Sequence, residues 1–130
     1  MADVFFLAAL NEARLGLAEG GVPIGSVLVL DGVIVGRGHN QRVQQGSVVL
    51  HAEMAALEDA GRLSAAEYRR STLYTTLSPC AMCTGAALLY GIPKVVVGEN
   101  RTFLGREDLL AGEGVVVEVL EGLVRTGFRH

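Results

Sequence analysis

Hydrophobic and polar positions follow two different periods in the first half of the chain. Apolar residues recur at roughly helical spacing from Val4 to Ala18, which predicts a first helix. Two β-like runs follow, Ile24 to Leu30 and Val33 to Val35, and Asp31-Gly32 between them favours a two-residue hairpin turn. Residues 36–47 are polar and punctuated by glycine, so we predict a loop there.

The second half of the chain alternates between helical and β-like segments. We predict helices over 48–63 and 80–90, strands over 72–77, 94–97 and 114–120, a weak helix or loop over 101–111 and a short last helix over 121–128. This alternation implies parallel strands with right-handed crossovers, while the early hairpin adds an antiparallel edge. The expected fold class is α/β, a three-layer α-β-α arrangement with a mixed sheet of about five strands.

Composition and charge narrow the classes of function. The chain has 130 residues and half are apolar, which suits one domain over residues 1–130 and excludes general disorder. No apolar run approaches the ~18 residues of a membrane span, and the first residues do not resemble a signal peptide. The net charge is −3 and Lys94 is the only lysine, so the basic surface of a nucleic-acid binder is missing. We expect a cytoplasmic protein with a small-molecule partner, and no membrane or nucleic-acid partner.

The stretch from Ser78 to Cys83 contains the only two cysteines of the chain. Ser78 can cap a helix and Pro79 suits its first position, so Cys80 and Cys83 should lie one turn apart near the positive helix end. That end favours thiolates, the form of cysteine that binds metal. With His51 they make a soft set of two sulfurs and one nitrogen, which suits zinc.

Three protein ligands with a nearby carboxylate form the catalytic rather than the structural zinc pattern. Zinc there would lower the pKa of a bound water toward ~7, and Glu53 could move a proton from that water to a leaving group. Residues two apart inside a helix point to nearly opposite sides. The prediction therefore requires His51 to lie at the very start of its helix.

Other interpretations of the same residues exist. The two cysteines could be inert core residues, or a thioredoxin-like redox pair that uses no metal. A histidine and a glutamate at a helix start are often only solvated. The joint pattern, His-x-Glu at one helix start and Pro-Cys-x-x-Cys at another, is the mark of zinc nucleobase deaminases. We do not expect His39 or His130 to be ligands, because neither completes a spacing.

The sequence resembles the cytidine and cytosine deaminase superfamily, and within it the fungal-type cytosine deaminases that act on the free base. Besides the metal motif, the resemblance rests on residues 19–25, 36–40, 73–77, 83–86, 90–93 and 97–100. It implies a zinc-dependent hydrolytic deaminase of pyrimidine salvage, usually a homodimer, that converts cytosine to uracil and ammonia. It also implies that His51, Cys80 and Cys83 bind zinc while Glu53 shuttles the proton.

The resemblance further implies a set of substrate contacts. Asn40 and the backbone N–H of Ala52 would bind the polar edge of the base, and Ile24 and Phe103 would line the pocket. Ala52 stands where the fungal-type enzymes usually have glycine. Family members also carry an aromatic and acidic C-terminal tail over the pocket; its place here would be taken by a partner subunit, or else the chain is shortened or the substrate differs.

Guanine or another amino-substituted heterocycle is an alternative substrate, because zinc and a glutamate do not by themselves discriminate between heterocyclic bases. A transfer-RNA adenosine deaminase shares the metal motif but would need a basic surface. A non-catalytic zinc domain and a metal-free redox domain are the alternatives from other classes.

Overall fold

The computed structural model describes residues 3–120. Within them the chain forms six helices and five strands, in an order close to that predicted. They are α1 (Val4–Ala18), β1 (Gly25–Leu30), β2 (Val33–His39), α2 (Arg42–Gln45), α3 (Ala52–Ala60), α4 (Ala65–Tyr68), β3 (Ser71–Leu77), α5 (Ala81–Tyr90), β4 (Lys94–Glu99), α6 (Glu107–Gly112) and β5 (Val116–Val119). The predicted helix over 121–128 lies outside the described residues.

The five strands form one mixed sheet in the order β2-β1-β3-β4-β5. Strand β1 pairs antiparallel with β2 and β3, whereas β3 with β4 and β4 with β5 are parallel. The hairpin turn has positive φ at both Asp31 and Gly32, as an Asp-Gly turn between strands requires. The predicted mixed sheet with an antiparallel edge is confirmed.

Helices cover both faces of this sheet. One face packs against α1 through Phe6, Val27 and Val96, and the other carries α3 to α6 around Leu28 and Val97. Successive residues of a strand point to opposite faces, so β4, whose central valines are all buried, contributes to both cores. The predicted three-layer α-β-α architecture is therefore confirmed.

The loop predicted over residues 36–47 is wrong at its start, because β2 continues to His39. Gly36 and Gly38 lie where α3 crosses the strand. A Cβ at Gly36 would lie 2.3 Å from the carbonyl oxygen of Ala56, and one at Gly38 would lie 2.6 Å from Cβ of Ala55. These glycines permit close packing of a helix on a strand instead of interrupting the strand.

Helix boundaries differ from prediction in the middle of the chain. The helix predicted over 48–63 is confined to Ala52–Ala60, and two single-turn helices, α2 and α4, were not predicted. Gly61 ends α3 with positive φ, and Ser64 then starts α4 with a capping box that includes Glu67. The weak helix predicted over 101–111 is the shorter α6.

Candidate metal centre

Two helix N-termini meet at the carboxyl end of β3. His51 is the N-cap of α3 and Cys80 is the N-cap of α5, and both have extended backbone geometry. His51 thus lies at the very start of its helix, which was the condition for His51 and Glu53 to serve one metal. The helix predicted over 80–90 is observed over Ala81–Tyr90, but its predicted cap is wrong, because Cys80 is the N-cap and Ser78 and Pro79 precede it.

The side chains of His51, Cys80 and Cys83 converge on one point. Nδ1 of His51 lies 3.4 Å from Sγ of Cys80 and 3.7 Å from Sγ of Cys83, and all three ligand atoms lie within 4.8 Å of one another. A tetrahedral zinc with Zn–S of about 2.3 Å and Zn–N of about 2.05 Å holds neighbouring sulfur and nitrogen about 3.6 Å apart. The donor set therefore fits zinc in both chemistry and spacing.

Local electrostatics set the protonation of these candidate ligands. Burial, with a smaller contribution from Arg42, lowers the pKa of His51, so its imidazole is neutral and able to bind metal. Burial raises the pKa of the Cys83 thiol, and the nearby Glu53 and Cys80 raise it further. A bound cation would reverse that preference, because it favours the thiolate.

Glu53 lies in the first turn of α3, beside the candidate ligand Cys83. Glu53 is 5% exposed, and this burial raises the pKa of its carboxyl to about 7. Hydrogen bonds from its own backbone N–H and from the Cys83 thiol lower the pKa by a smaller amount. A carboxyl with a pKa near neutrality can both accept and donate a proton at physiological pH. This is the property that a proton shuttle requires.

The metal cluster borders a cavity of about 200 Å³. This volume lies below the ~300 Å³ at which drug-sized pockets begin, so the cavity suits a small heterocycle. Its wall includes all four residues predicted to contact substrate, together with His51, Glu53 and Cys80. Those four are Ile24, Asn40, Ala52 and Phe103. Val22, Arg42, Leu77 and Ser78 also line it and were not predicted to do so.

Asn40 presents its amide group in a fixed orientation. Its backbone N–H donates to the carbonyl of Ile24 over 3.0 Å, and its Oδ1 accepts the N–H of Arg42 over 3.0 Å. With Oδ1 engaged, the amide NH₂ group can donate to a ligand in the cavity. Ala52, as the first residue of α3, has an N–H that lacks an intrahelical acceptor and is a second donor on the same wall.

Ser78 anchors the loop that carries Phe103. Its Oγ donates to Glu107 over 2.6 Å and accepts the N–H of Gly105 over 2.9 Å, while the N–H of Arg106 donates to the carbonyl of Pro79. A Cβ at Gly105 would lie 1.8 Å from that same carbonyl oxygen. The local sequence predicts Ser78 only as a helix cap and gives no signal for this role, because its partners lie 27 and 29 residues away.

Two helix N-termini bring two thiols, an imidazole and a buried carboxyl together around a small cavity. This arrangement defines a hydrolase with a catalytic zinc site. Residues 2–99 match the model of the cytidine and deoxycytidylate deaminase zinc-binding region. The chain therefore belongs to the cytidine and deoxycytidylate deaminase family, and zinc is its cofactor.

Relatives and a solved structure agree with this assignment. A cytosine deaminase of Candida albicans is 56% identical over 110 residues, which are 84% of this chain and 73% of that protein. A tRNA-specific adenosine deaminase of Streptococcus pyogenes is 41% identical over 108 residues, 82% of this chain and 67% of the relative. A structure from a study of A-to-I editing at the transfer-RNA wobble position has a TM-score of 0.74 at 29% identity, covering 89% of this chain and 96% of the other.

Within residues 3–120, no helix is both long enough and apolar enough to cross a membrane.

Proposed function

We propose that this protein deaminates a free nucleobase hydrolytically, with cytosine as the substrate and uracil and ammonia as the products. The observation that carries the proposal is the convergence of three ligand atoms and the buried Glu53 on a cavity of about 200 Å³. The 56% identity to a cytosine deaminase supports cytosine in particular.

In this proposal His51, Cys80 and Cys83 hold the zinc. When bound, zinc supplies a Lewis acid that makes water a nucleophile at neutral pH. The ionised Glu53 accepts a proton from the attacking water, and its acid form then delivers a proton to the departing amino group. A C–O bond forms at the ring carbon, the C–N bond of the amine breaks, and ammonia leaves.

The donors on the cavity wall support a base that carries a carbonyl group. The Asn40 amide NH₂ and the Ala52 N–H are both donors, so they match the carbonyl oxygen of cytosine or a ring nitrogen that accepts. Ile24 and Phe103 supply apolar surface to the faces of the ring. A cavity of about 200 Å³ favours a free base over the larger nucleoside.

A transfer-RNA adenosine deaminase is the second candidate. Its support is the 41% identity to tRNA-specific adenosine deaminases. A net charge of −3 with one lysine opposes it, because binding to a polyanion draws its affinity mainly from basic side chains. Guanine or another amino-substituted heterocycle remains an alternative within the same chemistry.

The test is ammonia release by zinc-loaded protein with cytosine, isocytosine, guanine, adenine, cytidine and creatinine, alongside inosine formation in an anticodon stem-loop RNA. We expect turnover of cytosine without cytidine. Turnover of the RNA alone would replace the proposal with the second candidate. Glu53→Gln is the matched control, since it has the same size and cannot move the proton.

We further propose that the chain acts as a homodimer and as a single domain over residues 1–130. Support for the homodimer comes from a cleft beside Leu57 and Tyr68, next to which Leu89 is 75% and Tyr90 43% exposed. Support for a single domain comes from the one sheet that all five described strands share. Leu89→Glu should shift the mass in sedimentation equilibrium toward the monomer, whereas the remote Leu17→Glu should not. A sedimentation mass of one chain in the unmutated protein would refute the dimer.

We also propose a cytoplasmic location, because a reducing compartment keeps the thiol ligands from forming a disulfide. A role in pyrimidine salvage is proposed as well, because the proposed reaction turns cytosine into uracil. Cell fractionation with detection of this chain tests the location.

A further inference from the structure

His39 is buried at the end of β2, outside the metal centre, between the carboxylates of Glu12 in α1 and of Glu19, which is the C-cap of α1. Nδ1 lies 2.9 Å from Oε1 of Glu12, and Nε2 lies 2.8 Å from Oε1 of Glu19. The exposed fractions of His39 and Glu12 are 8% and 6%. The ring also packs against Gly16, where a Cβ would lie 3.2 Å from a ring carbon.

This arrangement favours the protonated ring. A neutral imidazole has one N–H, so one of the two carboxylate contacts would join two acceptors, whereas an imidazolium donates to both. Burial opposes the charge, but the hydrogen bonds to Glu12 and Glu19 outweigh it and raise the pKa of His39. The site also lies beside the C-terminal end of the 15-residue helix α1, which attracts a cation.

Strand geometry connects His39 to the cavity. His39 pairs with Gly25 on the face of the sheet that packs on α1, and Gly38 packs on α3. Asn40 follows directly where β2 ends and lines the cavity together with His51 and Ala52 at the start of α3. The two carboxylate contacts, which we call the His39 clamp, therefore hold the end of β2 on the α1 side. Asn40 extends from that strand end to the cavity on the α3 side.

The clamp extends across α2 as well. Nε2 of Gln44 donates to the same Oε1 of Glu19 over 3.0 Å, so this carboxylate joins the ends of α1, β2 and α2. The remaining charged groups of the neighbouring cleft are Arg37, Glu58 and Asp59. Asp59 accepts the N–H of Arg37, and His39 has no hydrogen bond to Glu58.

We infer that His39, held as an imidazolium between Glu12 and Glu19, is a positioning residue that keeps Asn40 aligned with a base in the cavity. The inference rests on the proposed role of Asn40 in binding the base. Loss of the ring proton removes one of the two carboxylate hydrogen bonds and loosens the strand end. Base binding then weakens while the proton transfer at Glu53 is unaffected.

The first test is an NMR titration of the isotope-labelled, zinc-loaded protein, which needs no turnover. The His39 ring signals, identified by their loss in His39→Gln, should titrate above the ordinary histidine pKa of 6.5. The side-chain amide signals of Asn40 should follow the same curve, and in His39→Gln that response should disappear. Asn40 signals that ignore the His39 titration would overturn the inference.

The second test separates binding from chemistry with cytosine as substrate. His39→Gln should raise KM about three- to tenfold, as expected for loss of one hydrogen bond, and leave kcat within about twofold. Glu19→Gln is the conservative variant, because its side chain is half-exposed and its amide oxygen still accepts from the ring. Glu19→Gln removes a negative charge beside the ring, which lowers the pKa of His39. The pH above which KM rises should therefore be lower than in the unmutated protein.

Glu58→Gln removes a charge from the same cleft without touching His39, and it should leave the KM profile unchanged. The inference would be contradicted if His39→Gln lowered kcat by as large a factor as it raised KM. It would also be contradicted if KM had the same pH dependence in Glu19→Gln and in the unmutated protein. If the unmutated protein does not turn over cytosine, the proposed function fails, and the NMR titration still decides the coupling of His39 to Asn40.

Discussion

Replacing Glu53 with glutamine should have opposite effects on activity and on stability. Glutamine has nearly the same shape but can neither ionise nor shuttle a proton. Turnover by the zinc-loaded protein should fall by at least ~10²-fold because the general acid–base group is gone. The metal-free protein should become more stable at neutral pH, because a buried group that carries a charge there has been removed.

The stability effect follows from the raised pKa of the Glu53 carboxyl. Below its ordinary value of 4.5, folded and unfolded chains are both protonated and the group costs nothing. Between 4.5 and about 7 only the unfolded chain ionises, so stability falls as pH rises. Above about 7 the full cost is present, and a pKa moved from 4.5 to about 7 corresponds to about 3 kcal/mol.

The measurement is urea unfolding of chelator-treated protein at about pH 5 and about pH 8, where the cost is small and full respectively. Glu53→Gln should gain up to about 3 kcal/mol at the higher pH and far less at the lower one. Glu58→Gln, an exposed change on the same helix α3, controls for net charge. With zinc bound the gain should shrink, since the cation favours the ionised carboxyl.

A gain in stability that is equal at both pH values would refute the link between burial and the raised pKa of Glu53. Turnover near that of the unmutated protein would refute its role as the proton shuttle. The stability result and the turnover result are independent, because unfolding is measured on metal-free protein without substrate, whereas turnover is measured on zinc-loaded protein.

Three further substitutions test the metal ligands, the Phe103 loop and the packing of α5. Cys83→Ala should lose zinc in metal analysis and lower the urea midpoint, since ligand binding is coupled to folding; full zinc retention would contradict the ligand set. Gly105→Ala should raise KM more than it lowers kcat, because its Cβ would lie 1.8 Å from the Pro79 oxygen and displace the Phe103 loop. Gly85→Ala, mid-helix with open space at its Cβ, should stabilise the protein by about 1 kcal/mol in thermal unfolding; destabilisation would contradict this packing.

Patterns that depend on near neighbours in the chain were predicted well. The Asp31-Gly32 turn and strand β4 follow from local backbone preference and from a run of β-branched residues. The capping box of α4 is equally local, with Ser64 and Glu67 three residues apart, but α4 was not predicted because the predicted helix ended at residue 63.

Glycine caused the main error in the fold. Gly36 and Gly38 were interpreted as loop residues because glycine often breaks strands. In the structure they are strand residues without side chains, against which Ala55 and Ala56 pack closely. A local pattern does not distinguish these cases, since the difference lies in which helix later crosses the strand.

By itself the sequence determined the chemistry available to this protein: two thiols, an imidazole and a carboxyl at spacings that suit zinc, within an α/β order of elements. Only the tertiary structure decided that His51 and Cys80 cap two helices whose ends meet, that Ser78 anchors the Phe103 loop, and that His39 lies between two carboxylates. The physical reason is range. Residue type and local spacing act over one helical turn, whereas these contacts join residues 20 to 29 positions apart and exist only once helices pack on the sheet.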